Sequence, residues 1–175
     1  MRRVHQVLSA VLASISPQDR VFIASRLTWA EADLFYKMSI PDQRHCLNVA
    51  YTAARLADAA GAGQRRLLLK AALLHDVGRR RGDVSTADKI AAVLGRAVFG
   101  AARLRQWGRP GRGGVWQNLR HALFVSARHP ELGANLLQAA GTEPDVIELV
   151  LRHHQPPAPE DSTELQLLRQ ADDLN

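Results

Sequence analysis

Apolar residues recur at three- and four-residue intervals through nearly the whole chain, and no run alternates convincingly with period two. This spacing predicts helices. A first amphipathic helix is expected over about 3–14. Ser16-Pro17 opens a second, with proline at the first helical position, where its missing N–H costs nothing. Thr28-Trp29-Ala30-Glu31 forms a capping box that opens a third, with Leu34 and Phe35 turned toward a core. Pro41 begins a long helix to about Ala60, stopped by Gly61-Ala62-Gly63. The next is expected over 64–77, ending at Gly78 ahead of arginines that suit a helix C-terminus. Further helices are expected over about 86–104, 115–127, 130–140, 144–154 and 162–174. A glycine- and proline-rich loop separates the first two of these at 107–114, and an extended connector fills 155–159. The pattern predicts an all-α chain forming a single domain over 1–175.

Composition narrows this reading. A chain of 175 residues, 46% of them hydrophobic, suffices for one domain with a substantial core. The single cysteine, Cys46, excludes an intramolecular disulfide and a cysteine-based zinc site; its neighbours are apolar, so a buried thiol is expected. A reducing, cytoplasmic location fits this usage. Gln6, Ser9 and Ser14 interrupt the apolar positions of the basic N-terminus, so no signal peptide is expected. No window approaches the ~18 uninterrupted apolar residues needed to span a bilayer, and a soluble protein is expected.

Charge is uneven. The net charge is +6, yet the stretch 89–128 holds eight basic residues and no acidic one. They are Lys89, Arg96, Arg103, Arg105, Arg109, Arg112, Arg120 and Arg128. Such a stretch attracts phosphorylated small molecules, nucleic acid or anionic membrane; a plain solvated surface is the alternative.

Candidate chemistry lies in seven side chains that occur in the order His45, His75-Asp76, His129, His153-His154 and Asp172. His75-Asp76 sets an imidazole and a carboxylate side by side behind an apolar helix, where an uncompensated charge costs several kcal/mol. At that helix end the backbone carbonyls form a rim favourable to a cation. Asp172 follows Leu165 and Leu168 on an apolar face and needs a cationic partner. His45, His75, Asp76 and Asp172 together suit a divalent ion such as Mn, Fe, Co, Ni, Zn or Mg. Each residue also has a plainer reading. The His-Asp pair can be a buried hydrogen-bonded one, His129 can begin a helix, and His153-His154 can be exposed at a helix end. His5 and His121 are expected at the surface, and Phe22, Trp29, Phe35 and Tyr36 in the core.

Taken together, these residues resemble the HD superfamily of metal-dependent phosphohydrolases, whose pattern is His…His-Asp…Asp on a helical bundle. The resemblance covers roughly 41–174, leaving 1–40 as additional N-terminal helices before an HD-type core. It extends toward the two-metal branch that includes the HD-GYP cyclic-dinucleotide phosphodiesterases, through His129-Pro130-Glu131-Leu132-Gly133 and His153-His154. The resemblance implies that Asp76 bridges two ions, with His45, His75 and Asp172 around one and His129, His153 and His154 around the other. It also implies hydrolysis of a phosphate mono- or diester, of a nucleotide or related small molecule, by metal-activated water. Asp76 and Arg79 are then the catalytic candidates, and Arg79, Arg80 and Lys89 the candidates for contact with phosphate.

Two departures stand out. Arg79 occupies the position where the family often has lysine, and arginine can grip phosphate through two parallel donors. After His154 the Asp-Gly-x-Gly-Tyr-Pro stretch is replaced by Gln155-Pro156-Pro157-Ala158-Pro159, so cyclic-dinucleotide specificity does not carry over. The 107–114 loop with Trp116 beyond it reads as a connector or as a lid carrying arginines and an indole. The functional alternative to an enzyme is a catalytically silent metal- or nucleotide-binding regulator that docks nucleic acid or anionic membrane through 89–128.

Overall fold

Polar caps set where the helices begin. In the computed structural model, which describes residues 14–61, 63–83 and 106–175, Ser16 caps α1 (Pro17–Ala24) and Thr28 caps α2 (Trp29–Tyr36). Both are reciprocal capping boxes, closed by Asp19 and Glu31. Ser39 caps α3 (Ile40–Ala60), which Gly61 ends in the left-handed conformation at φ 63°. α4 (Arg65–Leu74), α5 (Val115–Ala139), α6 (Pro144–Arg152) and α7 (Thr163–Asp173, capped by Ser162) complete the described helices. The helices expected over 3–14 (save Ser14) and 86–104 lie outside the described residues, and so does Lys89.

The fold is all-α, a helical bundle built around α4. Every residue from Leu67 to Leu74 is buried, because α2, α3, α6 and α7 all pack against this one helix. Leu68, Leu73 and Leu74 meet Leu47, Leu137, Leu165 and Leu168 in a continuous core. Covering α4 on all sides also forces Lys70 inside. Its ammonium donates to Glu31 at 3.0 Å and Glu143 at 2.7 Å, and Thr142 adds a hydroxyl to Glu31 at 2.9 Å. Cys46 is fully buried, as expected. Among the described residues the only bridge of strand type is the isolated pairing of Met38 with Arg80, which ties the segment after α4 to the α2–α3 turn. No described helix is long and apolar enough to cross a membrane.

Three expectations need correction. The chain does not break between 127 and 130: α5 runs unbroken through Pro130. The stretch 75–77 leaves the helix as turns, so α4 ends at Leu74 rather than Val77. Trp29 and Tyr36 are not core residues, being 86% and 37% exposed. Glu31 and Phe35 share the inner face of α2, and Trp29 lies two residues, about 200°, from Glu31 on the opposite side.

Candidate metal centre

The seven residues come from five places in the bundle: α3 carries His45, the end of α4 carries His75-Asp76, mid-α5 carries His129, the end of α6 carries His153-His154, and α7 carries Asp172. Close backbone packing brings the second and third of these together. A Cβ on Gly78 would stand 2.2 Å from the His129 carbonyl and 2.9 Å from the Gly133 amide, so only glycine permits the approach. Gly133 faces Gly78 in turn, where a Cβ would meet the Gly78 amide at 3.4 Å, an ordinary contact, so the requirement for glycine rests on Gly78.

Each buried ring is anchored by its own helix. The Nδ1 of His75 donates to Ala72 O at 2.9 Å, that of His129 to Ser126 O at 3.0 Å, and that of His153 to Val150 O at 2.6 Å. With Nδ1 carrying the proton, the Nε2 lone pairs are left to face one another. Ser126 O is also the carbonyl that residue 130 would bond in an uninterrupted helix; Pro130 has no N–H to offer, and the His129 ring supplies the donor instead. This substitution lets α5 pass through a proline.

The carboxylates sit between the rings. Asp172 Oδ1 lies 3.0 Å from His45 Nε2 and 3.7 Å from His75 Nε2. Asp76 turns Oδ2 toward His75 Nε2 at 3.8 Å and Oδ1 toward His129 Nε2 at 3.2 Å, facing both halves of the cluster. Three overlapping groups have ligand atoms within 4.8 Å of one another: His45–His75–Asp76, His75–His153–Asp172 and His129–His153–His154. All seven sequence candidates are therefore in one cluster. Arg79 joins it through Asp76 at 2.7 Å and His129 at 3.2 Å, whereas Arg80 is exposed and its backbone amide donates to Asp83.

Electrostatics favour ions over protons. Burial works to raise the Asp76 pKa, but Arg79 and then His75, His129 and His45 hold it well below the usual carboxylate range. Asp172 is likewise lowered, its burial outweighed by the hydrogen bond from His45. Burial and the Arg79 charge push His129 well down, and burial with neighbouring His75 and His154 brings His153 to about 3. Burial opposes protonation of His45 as well, yet the bond to Asp172 raises it.

The residues present fit a divalent metal. His75 Nε2, Asp76 Oδ1 and His153 Nε2 are buried and make no hydrogen bond, an arrangement that costs stability unless a cation is held there. Mixed imidazole and carboxylate donors suit borderline first-row ions. A family model of the HD domain matches residues 43–175. The chain belongs to the HD domain family. Comparison with curated proteins and with solved structures gives no significant match.

The HD domain also contains supports that sequence reading missed. Asp161 accepts from Arg152 at 2.6 Å and from Arg169, while Arg169 donates to the Arg152 carbonyl at 3.0 Å. Arg152 immediately precedes His153 and Arg169 lies three residues before Asp172, so this buried clamp fixes two ligand-bearing helices against each other. Asp161 is separated from its partners by connector and helix, and periodicity gives no signal of it. The 107–114 loop is fastened to α5: Gly108 packs on Phe124, Gly111 N donates to His121, and both Arg112 and His121 reach Asp83 at 3.3 Å. Its Trp107 and the following Trp116 are exposed.

Proposed function

We propose that this HD domain is a divalent-metal-dependent phosphohydrolase that cleaves a phosphate mono- or diester of a small molecule, a nucleotide or a close relative of one. The observation that carries this reading is the convergence of three pinned imidazoles and two ionised carboxylates, with buried Nε2 and Oδ1 atoms lacking hydrogen bonds. When bound, the ion supplies a lowered pKa for water and charge neutralisation for phosphoryl oxygens. The chain supplies the rest. Asp76 lies between both groups of ligands, and Arg79 at the rim carries a planar pair of donors matched to phosphate. A nucleotide is favoured by the exposed indoles of Trp107 and Trp116, flanking a loop held to Asp83, four residues beyond Arg79.

Metal analysis of the purified protein, with a hydrolysis screen across divalent ions, tests the proposal. His75→Ala or Asp76→Ala is expected to abolish both bound metal and turnover, whereas His129→Ala removes one metal equivalent. Absence of metal, together with no turnover on phosphomonoesters, nucleotides or cyclic dinucleotides, overturns the reading. Two equivalents retained in His129→Ala overturn the second group.

A further inference from the structure

Because α5 is unbroken from Val115 to Ala139, positions four apart form a row that rises about 6 Å and advances about 40° per step. Trp116, Arg120, Phe124 and Arg128 occupy four successive steps of this row, and the residue after Arg128 is His129 of the metal centre. Trp116 is 74% exposed, Arg120 and Arg128 are exposed, and Phe124 is half-buried. The Arg128 guanidinium carbon stands 5.6 Å from the centre of the Phe124 ring. Arg120 Nε donates to Trp107 O at 3.2 Å, which sets a second indole beside the row. Arg109 is tied alongside by its amide, which donates to Arg120 O at 3.1 Å. The guanidinium groups of Arg109 and Arg120 bond backbone carbonyls, which carry no net charge. Among the described residues no carboxylate pairs with Arg109, Arg120 or Arg128, and 89–128 contains no acidic residue.

Aromatic faces alternating with uncompensated cations are the combination that binds single-stranded nucleic acid: bases stack on the rings while the backbone meets the cations. Distance decides against a free nucleotide. Trp116 lies thirteen residues, about 20 Å along the axis, from His129, farther than a sugar and base extend from their own phosphate. A nucleotide held at the metal centre does not reach that indole, whereas a strand does. Cations interrupt the row at every second step, so it lacks the continuous apolar edge that burial in a lipid bilayer requires. We propose that α5 is a track for single-stranded nucleic acid that leads a phosphate of the strand to the metal centre. Arg109, Arg120 and Arg128 meet its phosphates, and Trp116 and Trp107 stack on its bases. The substrate of the proposed hydrolase is then an oligonucleotide; that assignment rests on the reading above, whereas the track itself does not.

Fluorescence anisotropy with a labelled oligothymidylate of about ten nucleotides tests the track, on chelator-treated protein so that no hydrolysis intervenes. The single strand is expected to bind more tightly than the same strand in a duplex. Its log affinity should fall with log salt at a slope of about −2, as three phosphate contacts require, and Arg120→Gln or Arg128→Gln should reduce that slope by about 0.7. Trp116→Ala is expected to lose about tenfold in affinity. Trp116→Phe keeps a stacking face and regains most of the loss, which separates stacking from a purely structural role. A duplex bound as tightly as the single strand, or substitutions without effect, overturns the inference. So does failure to bind the oligonucleotide, including the case in which vesicles containing phosphatidylserine are bound instead. Bound metal and turnover of free nucleotides without strand binding sink the inference alone. Strand binding without metal or turnover sinks the hydrolase reading, and with it the oligonucleotide's role as substrate, but leaves the track standing.

Discussion

A neutral imidazole has one donor and one acceptor, and His75, His129 and His153 each commit the donor to a carbonyl three residues earlier in their own helix. Burial, and not this bond, keeps His129 and His153 neutral, and this has a pH signature. His129 and His153 titrate below the unfolded value of about 6.5. As pH falls through 6.5 the unfolded chain takes up their protons first, so stability present above that value is lost on acidification. His45 is shifted upward and acts in the opposite sense, but it is one group against three, since His154 is lowered as well. The thermal midpoint of chelator-treated protein is expected to fall between pH 6.5 and 5, above the range where Asp76 and Asp172 protonate. His153→Gln should flatten that slope; a midpoint that does not change with pH contradicts the assignment. The identity of the seven cluster residues was legible from order and residue type. Their tautomers were not, because a ring's partner three residues back is a backbone carbonyl that carries no sequence label.

At the scale of the element, α5 records a local rule overridden by a side chain. Proline ends helices by removing a donor and crowding the carbonyl four residues back, which is why a break near 130 is the natural reading of this stretch. The donor lost at Pro130 is replaced by the ring of the residue beside it, a compensation visible only in three dimensions. Pro130→Ala restores a backbone N–H that competes for Ser126 O. The thermal midpoint is expected to hold or rise while affinity for the ion at His129 falls by roughly tenfold or more, as when a ligand's orienting partner is lost. Unchanged affinity in calorimetry would dissociate the ring's anchor from its function. Helix starts, by contrast, were well marked at Ser16 and Thr28, which cap where the sequence places them, since a cap is a contact within three residues.

For the whole molecule, the decisive fact is the central place of α4. Family membership and the all-α class were readable because apolar periodicity and the His…His-Asp…Asp order both survive in the one-dimensional chain, and the family match over 43–175 follows the resemblance closely. What was not readable is the second polar network at the opposite side of the sequence run that bears His75-Asp76. Lys70, within five residues of His75, is buried against Glu31 and Glu143, partners 39 and 73 residues away. Lys70→Met removes one member of a buried pair and leaves Glu31 enclosed without its counter-charge. Chemical denaturation is expected to register a loss of about 3–5 kcal/mol. A loss under 1 kcal/mol would mean that the pair is dispensable to the bundle.

The anchoring of the rings bears finally on how an ion comes and goes. In small zinc modules the metal creates the fold, and a chelator destroys both together. Here the ring orientations are set by helix carbonyls, Gly78 against Gly133 sets the approach of α5, and Asp161 joins the helices that carry His153 and Asp172. The cluster is a receptacle rather than a staple: its guest can be exchanged while the walls stand.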